Sequence, residues 1–270
     1  MKLAFMTFAC PDWRFDEVVA AAIRHGYHGV EFRCDAGHLH GVEVAASRKE
    51  RAAMRDKLHN EHVELCCLAT SLRFVFHEAV EELAERAELA ADLGCSALRV
   101  FCGQPAESIG HEELVARCAH NLRAASDIAS HSGVELWLET HDAASRAAVA
   151  VAIIHAVNQP NVAINYDNMH PHRAGESLET TVAQLGSLVR HCHFHDSLNR
   201  PDQVVIRPLD RGELPMDEMF QALVRMGFDG YLSGEWFDRQ YGDDPDEALE
   251  AYHRDMVRLA ERNGVHLAAR

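Results

Sequence analysis

Residues 134–141 read VELWLETH, 162–170 read VAINYDNMH, 189–196 read VRHCHFHD and 230–237 read GYLSGEWF. Each is a short apolar run that closes on a side chain able to bind a metal. These are Glu139, Asp167, a histidine of the HCHFH run, and Glu235. Between the runs lie stretches with the apolar period of amphipathic helices. Strands alternating with helices pair in parallel, because each helix carries the chain back to the starting end of the sheet. When such a sheet closes on itself, the strand C-termini converge on one rim, where barrel enzymes place their chemistry.

The first half continues the pattern. Strands are predicted at 2–9, 29–33, 63–71 and 97–103, and runs such as LCCL are apolar on both faces, as covered strands are. Helices are predicted at 13–25, 48–61, 77–93, 111–131, 143–157, 176–188, 215–226 and 245–263. Several stop at a glycine, as in "HGYHGVEF", "LGCSALRV" and "MGFDGYLS". Eight strand–helix units in 270 residues predict a single (β/α)8 TIM barrel domain over residues 1–270. Two loops after strands are long, 34–47 and 197–214, and long loops in compact domains are usually functional.

Composition narrows the partners. A net charge of −16 repels phosphate backbones and disfavours nucleic acid. No apolar run is long enough for a membrane span, and MKLAFMTFACPDW reads as a first strand rather than a signal peptide. Eight cysteines without a Cys-x-x-Cys pair read as buried, reduced thiols of a cytoplasmic protein.

The donors at the strand ends are oxygen and imidazole nitrogen, without thiolate. That set suits one divalent ion, manganese first, with cobalt, magnesium or zinc as alternatives. His141 lies two residues after Glu139, so strand alternation points it to the same face. There it would touch substrate, act as acid or base, or orient a ligand. His191, His193 and His195 share a face, and one of them completes the ion's ligands, with Asp196 either orienting it or capping the turn. Glu31, Arg33, Arg99 and Arg207 are candidates to hold substrate oxygens or an anionic group. For Arg99 the competing role is an internal salt bridge to a barrel carboxylate.

With these residues in place, the chain resembles the xylose-isomerase-like TIM-barrel superfamily, in its sugar-phosphate isomerase/epimerase branch. There a Glu ends strand 5, an Asp with a His three residues on ends strand 6, a His three residues before an Asp ends strand 7, and a Glu ends strand 8. Here these are Glu139, Asp167 with His170, His193 with Asp196, and Glu235. The resemblance thus selects His193 as the ligand. It implies a small sugar or sugar-derived substrate, and homo-oligomers are frequent in the family. It also implies proton transfer through a metal-bound enediolate, with Glu139 and Glu235 serving as both ligands and proton carriers. His141 would be a further catalytic group, and His170 and Arg207 would hold substrate oxygens. Two positions depart from the family pattern. Ser145 stands where ketose 3-epimerases carry a further Glu, and Asp210 replaces the first glycine of a Gly-x-Gly turn. The same metal chemistry supports dehydration of keto-sugars or keto-inositols, with His141 as acid to the leaving group. Endonuclease IV-like DNA repair shares the barrel, but needs additional His and Asp ligands where this chain has Ala69-Thr70-Ser71, Phe101-Cys102-Gly103 and Val204–Pro208.

Overall fold

A computed structural model describes residues 1–200, 203–237 and 239–270. Eight parallel strands close into a barrel: β1 (Lys2–Met6), β2 (Gly29–Arg33), β3 (Glu64–Arg73), β4 (Ala97–Phe101), β5 (Glu135–Glu139), β6 (Val162–Asp167), β7 (Val189–His193) and β10 (Tyr231–Gly234). The seam is sealed where β1 pairs with β10, Lys2 opposite Tyr231 and Phe5 opposite Gly234. The predicted (β/α)8 barrel is the observed one.

Helices α1 (Phe15–His25), α2 (Arg48–Asn60), α3 (Glu78–Leu93), α4 (His111–His131), α5 (Ala147–Val157), α7 (Leu178–Leu185), α8 (Met216–Arg225) and α9 (Pro245–Arg262) surround the sheet. Their boundaries follow local chemistry. Ser47 and Glu50 form a reciprocal capping box at the start of α2, each accepting from the other's backbone N–H. Asp244 caps α9 with Pro245 in its first turn. Gly26 and Gly94 stop α1 and α3 with φ of 81° and 77°, a conformation that costs glycine least.

The structure departs from the predicted elements at the rim. Strands expected to run to residues 9, 141, 170 and 237 end at Met6, Glu139, Asp167 and Gly234. After β6 the cause is visible: Asp167 Oδ1 accepts the N–H groups of Met169 (2.7 Å) and His170 (3.3 Å), turning the chain into the short helix α6 (Met169–Arg173). The long loop after β7 contains an antiparallel pair, β8 (Asp196–Leu198) and β9 (Val205–Arg207). Residues 201 and 202 of that loop lie outside the described residues.

Side chains alternate along each strand, so one face of every barrel strand points inward. Low in the barrel this face is apolar: Trp137 sits among Cys67, Ala97 and Ala163, and Tyr231 beside Ala4 and Cys66. Toward the C-terminal rim it becomes polar: Glu31, Arg99, Asn165, His191 and Ser233, then Glu139, Asp167 and His193, all buried. All eight cysteines are buried and unpaired, as expected.

Gly29 begins β2 where nothing larger fits: an added Cβ would stand 2.9 Å from Glu64 O and from the Tyr231 ring. Gly29→Val is expected to destabilise the fold by about 2–3 kcal/mol through overpacking. A lowered urea midpoint would show it, and an unchanged midpoint would mean that the strands part easily there.

Candidate metal centre

Glu139, Asp167 and His193 are the last residues of β5, β6 and β7, and Glu235 follows β10 directly. Asp167 and His193 are direct partners across the sheet. One ligand-type atom from each of the four lies within 4.8 Å of all the others. His193 is the centre of the group. Its Nδ1 is 2.9 Å from Glu235 Oε2 and 3.5 Å from Glu139 Oε1, and its Nε2 is 3.1 Å from both oxygens of Glu31.

Two observations test whether these residues fit an ion. Asp167 Oδ2 is buried and has no hydrogen-bond partner, although Oδ1 of the same carboxylate is fully used. Glu139 Oε2 is likewise unpartnered by hydrogen-bond geometry, although it lies 3.0 Å from Arg99 Nε. Orphaned buried oxygens are costly unless a cation takes them. A three-carboxylate, one-imidazole set is chemically suited to a divalent ion.

The charges are strongly coupled. Burial acts to raise the Glu139 carboxyl, but the Arg99 guanidinium and then His193 outweigh it and hold it at about 2. Burial opposes ionisation of Asp167 as well, and His195 and His170 keep it well below the ordinary carboxylate range. Burial works against a charged His193, yet Glu31, Glu235 and Glu139 lift it well above 6.5. For His141, burial is outweighed by a 2.7 Å contact with Asp142 and by the charge of Glu139, which raise it to about 9.

A cavity of about 90 Å³ opens over the cluster, lined by His141, His170, His195, Glu235, Ile206 and Phe237 among others. His141 and His170 meet edge to face, with ring centroids 4.3 Å apart. A larger cavity of about 770 Å³ lies at the opposite rim, among Arg55, His59, Trp137 and Tyr231. None of the four strand-end residues lines it.

Three residues expected to contact substrate do not line the cavity over the cluster. Glu31 has no exposed surface; it sits beneath His193 and accepts from Ser233 Oγ at 2.9 Å, so its oxygens are taken up inside the barrel. Arg99 is 1% exposed, and the internal salt bridge is its role: it faces Glu139, donates to Thr70 O at 2.8 Å and covers the Phe101 ring. Arg207 is exposed on β9, while its neighbour Ile206 and Val204 line the cavity, because alternation turns Arg207 outward. His195, set aside in favour of His193, stands 3.4 Å from Asp167. Its spacing from His193 was the available signal. The apolar roof of Val204 and Ile206 had no signal, because the hairpin that carries it is defined by pairing across a loop.

Of the two roles open to Asp196, the structure selects the turn. Its carboxylate accepts the backbone N–H of Ser197 (2.8 Å), Gly212 (2.7 Å) and Leu214 (3.1 Å), closing the base of the roof loop.

A closed barrel with an oxygen- and histidine-rich cluster at its C-terminal rim is an enzyme scaffold with a candidate divalent-metal centre. The chain belongs to the xylose isomerase-like TIM barrel family, whose pattern matches residues 19–266. It is 24% identical over 267 residues to a 3-dehydroshikimate dehydratase of Bacillus anthracis, covering 92% of each chain. It is 26% identical over 233 residues to an inosose isomerase of Bacillus velezensis, covering 81% of each. Among solved structures, a zinc-bound IOLI protein superposes with a TM-score of 0.86 at 21% identity, covering 97% of this chain and 99% of that one. A D-psicose 3-epimerase superposes at 0.80 and 16% identity, covering 98% and 100%. The curated relatives bear a dehydratase name and an isomerase name, and the solved structures share the fold. No helix among the described residues is long and apolar enough to cross a membrane.

Two predictions arise from the centre. Because His193 is held above 6.5, it is protonated at neutral pH without an ion, and a cation at Nδ1 must displace that proton. Mn²⁺ binding should release about one proton and tighten about tenfold per pH unit from 6.5 up toward the raised value. Calorimetry in buffers of different ionisation heat measures this, and buffer-independent heats would contradict it. Asp196→Ala removes three hydrogen bonds to a carboxylate, each worth about 1.5–3 kcal/mol, and should open the roof loop. Trypsin should then cut after Arg211, which is followed by Gly212, much faster than in the parent protein; equal rates would show that other contacts hold the loop.

Proposed function

We propose that this chain is a divalent-metal-dependent enzyme that moves a proton next to the carbonyl of a small polyhydroxylated ketone, as an isomerase or epimerase. One observation carries the proposal. Glu139 and Glu235 approach the same nitrogen of His193 from β5 and β10, strands separated around the barrel by β6 and β7. Two carboxylates thus flank one small volume from different directions.

Glu139, Asp167, His193 and Glu235 would hold the ion, manganese first. When bound, the ion would supply Lewis acidity to a carbonyl oxygen and its neighbouring hydroxyl, acidifying the intervening C–H. One glutamate then accepts that proton and the other returns one from its own side. Arg99 keeps Glu139 ionised for this work, and the pair is shielded from water. Glu235 lies in the cavity wall, where a substrate carbon would come within reach. His141 and His170, also in that wall, are placed to hold substrate oxygens. Val204, Ile206 and Phe237 exclude water from one side, which favours return of the abstracted proton over its loss.

A second reading is elimination of water from a keto-substrate. His141 favours it, since Asp142 and Glu139 keep a proton on its ring for a departing hydroxyl. The two relatives with long alignments bear an isomerase name and a dehydratase name.

The test is proton NMR in D₂O with Mn²⁺ and ketohexoses, inososes or 3-dehydroshikimate. Exchange of a C–H next to the carbonyl is expected, and should fall by about 10²–10⁴-fold in Glu139→Gln and Glu235→Gln. Epimerised or isomerised product supports the first reading. Dehydrated product, lost in His141→Asn, selects the second. Absence of exchange and of any product with all three substrate classes counts against both.

A further inference from the structure

Beneath the centre lies a second cluster, Glu31, His191 and His193, whose ligand-type atoms also lie within 4.8 Å of one another. We infer that Glu31 is a positioning residue that fixes the tautomer and direction of His193, so that Nδ1 is the nitrogen presented to the ion. This rests on the metal-dependent reading above.

The inference follows from donor and acceptor counts. An ionised carboxylate only accepts, so each of its partners must donate. Glu31 has no exposed surface, and the hydroxyl and the two imidazoles that meet its carboxylate are all able to donate to it. Its partners are Ser233 Oγ at 2.9 Å, His191 Nε2 at 2.9 Å and His193 Nε2 at 3.1 Å. Glu31 can bond His193 Nε2 only through a hydrogen on that nitrogen, although the Asn165 amide nitrogen also stands 3.1 Å from it, and this hydrogen leaves the lone pair of the neutral ring on Nδ1, the nitrogen that faces Glu139 and Glu235. His191 acts as a brace. Its ring stacks on Trp137 at 5.6 Å and stands at 86° to His193, holding Glu31 from the side. A carboxylate behind a ligating imidazole also strengthens it as a donor. The rival possibility is a second ion among Glu31, His191 and His193. It would require Nε2 to lose its hydrogen and one ring to bridge two cations.

Mn²⁺ titration followed by electron paramagnetic resonance tests the inference in wild-type protein, Glu31→Gln and Ser233→Ala. One ion per chain is expected in the wild type, with affinity weakened about 10–100-fold in Glu31→Gln. Ser233→Ala, which keeps Glu31 but removes one of its donors, should show a smaller loss in the same direction, and it serves if Glu31→Gln does not fold. Thermal midpoints of the metal-free proteins separate this effect from a general loss of structure: a loss of affinity that only tracks a lowered midpoint overturns the inference. Nitrogen-15 imidazole shifts of the zinc-loaded wild type should report a protonated Nε2 and a ligated Nδ1. Ligation through Nε2, two ions per chain, or equal affinity in wild type and Glu31→Gln each overturns the inference alone. A wild-type protein that binds none of Mn²⁺, Co²⁺ or Zn²⁺ overturns the metal-dependent reading together with it.

Discussion

His193 stands between buried carboxylates, Glu31 on one edge of its ring and Glu139 and Glu235 on the other. Two like charges about 4 Å apart repel by about 4 kcal/mol even at an effective dielectric of 20. Gathering Glu31, Glu139, Asp167 and Glu235 at one barrel end is therefore sustainable only with positive charge among them. Arg99, His193 and His195 supply part of it from within the chain, and the space that Glu139, Asp167, His193 and Glu235 surround is where a cation would supply more. The surrounding structure serves that arrangement. The small side chains of Cys67, Ala97 and Ala163 make room for Trp137, which in turn supports His191 and the polar layer above it.

Asp167 divides its two oxygens between structure and chemistry. Oδ1 starts the turn of α6 and so swings His170 back over the site, while Oδ2 faces His195 at 3.4 Å without a hydrogen bond of good geometry. Asp196 is wholly structural by comparison: its carboxylate ties off the loop that lays Val204 and Ile206 over the cavity. The loop's far side is fastened to α9, where Arg262 pairs with Asp210, the residue that departs from the family's glycine turn, at 2.5 Å. Asp210 takes the left-handed backbone conformation, with φ of 63°, that a glycine would adopt easily. The candidate metal cluster is thus built from strand ends, which are rigid. The apolar roof of its cavity comes from a loop fastened at discrete points, which can vary without disturbing the cluster.

Much of this was legible in the chain. Apolar runs alternating with helical periods determined the barrel, because a covered parallel strand and an amphipathic helix leave distinct local signatures. The same runs located Glu139, Asp167 and Glu235 through their shared position at the strand ends. Choosing His193 over His191 and His195 needed the family resemblance, since the three are equivalent by alternation. Glu31 was visible as an inward-facing acid, but its distance from the rim depends on the stagger between strands, which no single strand encodes. The outward turn of Arg207 was hidden for a related reason: in a loop without apparent pairing, nothing indicates which way a side chain turns.

The sequence by itself determined the class of fold, the donor set and the end of the barrel at which the donors gather. These rest on interactions between residues near in the chain, namely helix caps, strand alternation and glycine stops. Only the tertiary structure decided what each buried polar group is bonded to. Glu31 meets His193 across 162 residues and Ser233 across 202, and Arg99 meets Glu139 from the neighbouring strand. Such contacts are set by barrel closure and strand register. Whether a glutamate binds an ion, steadies a histidine or neutralises an arginine is decided by the partners that closure brings to it.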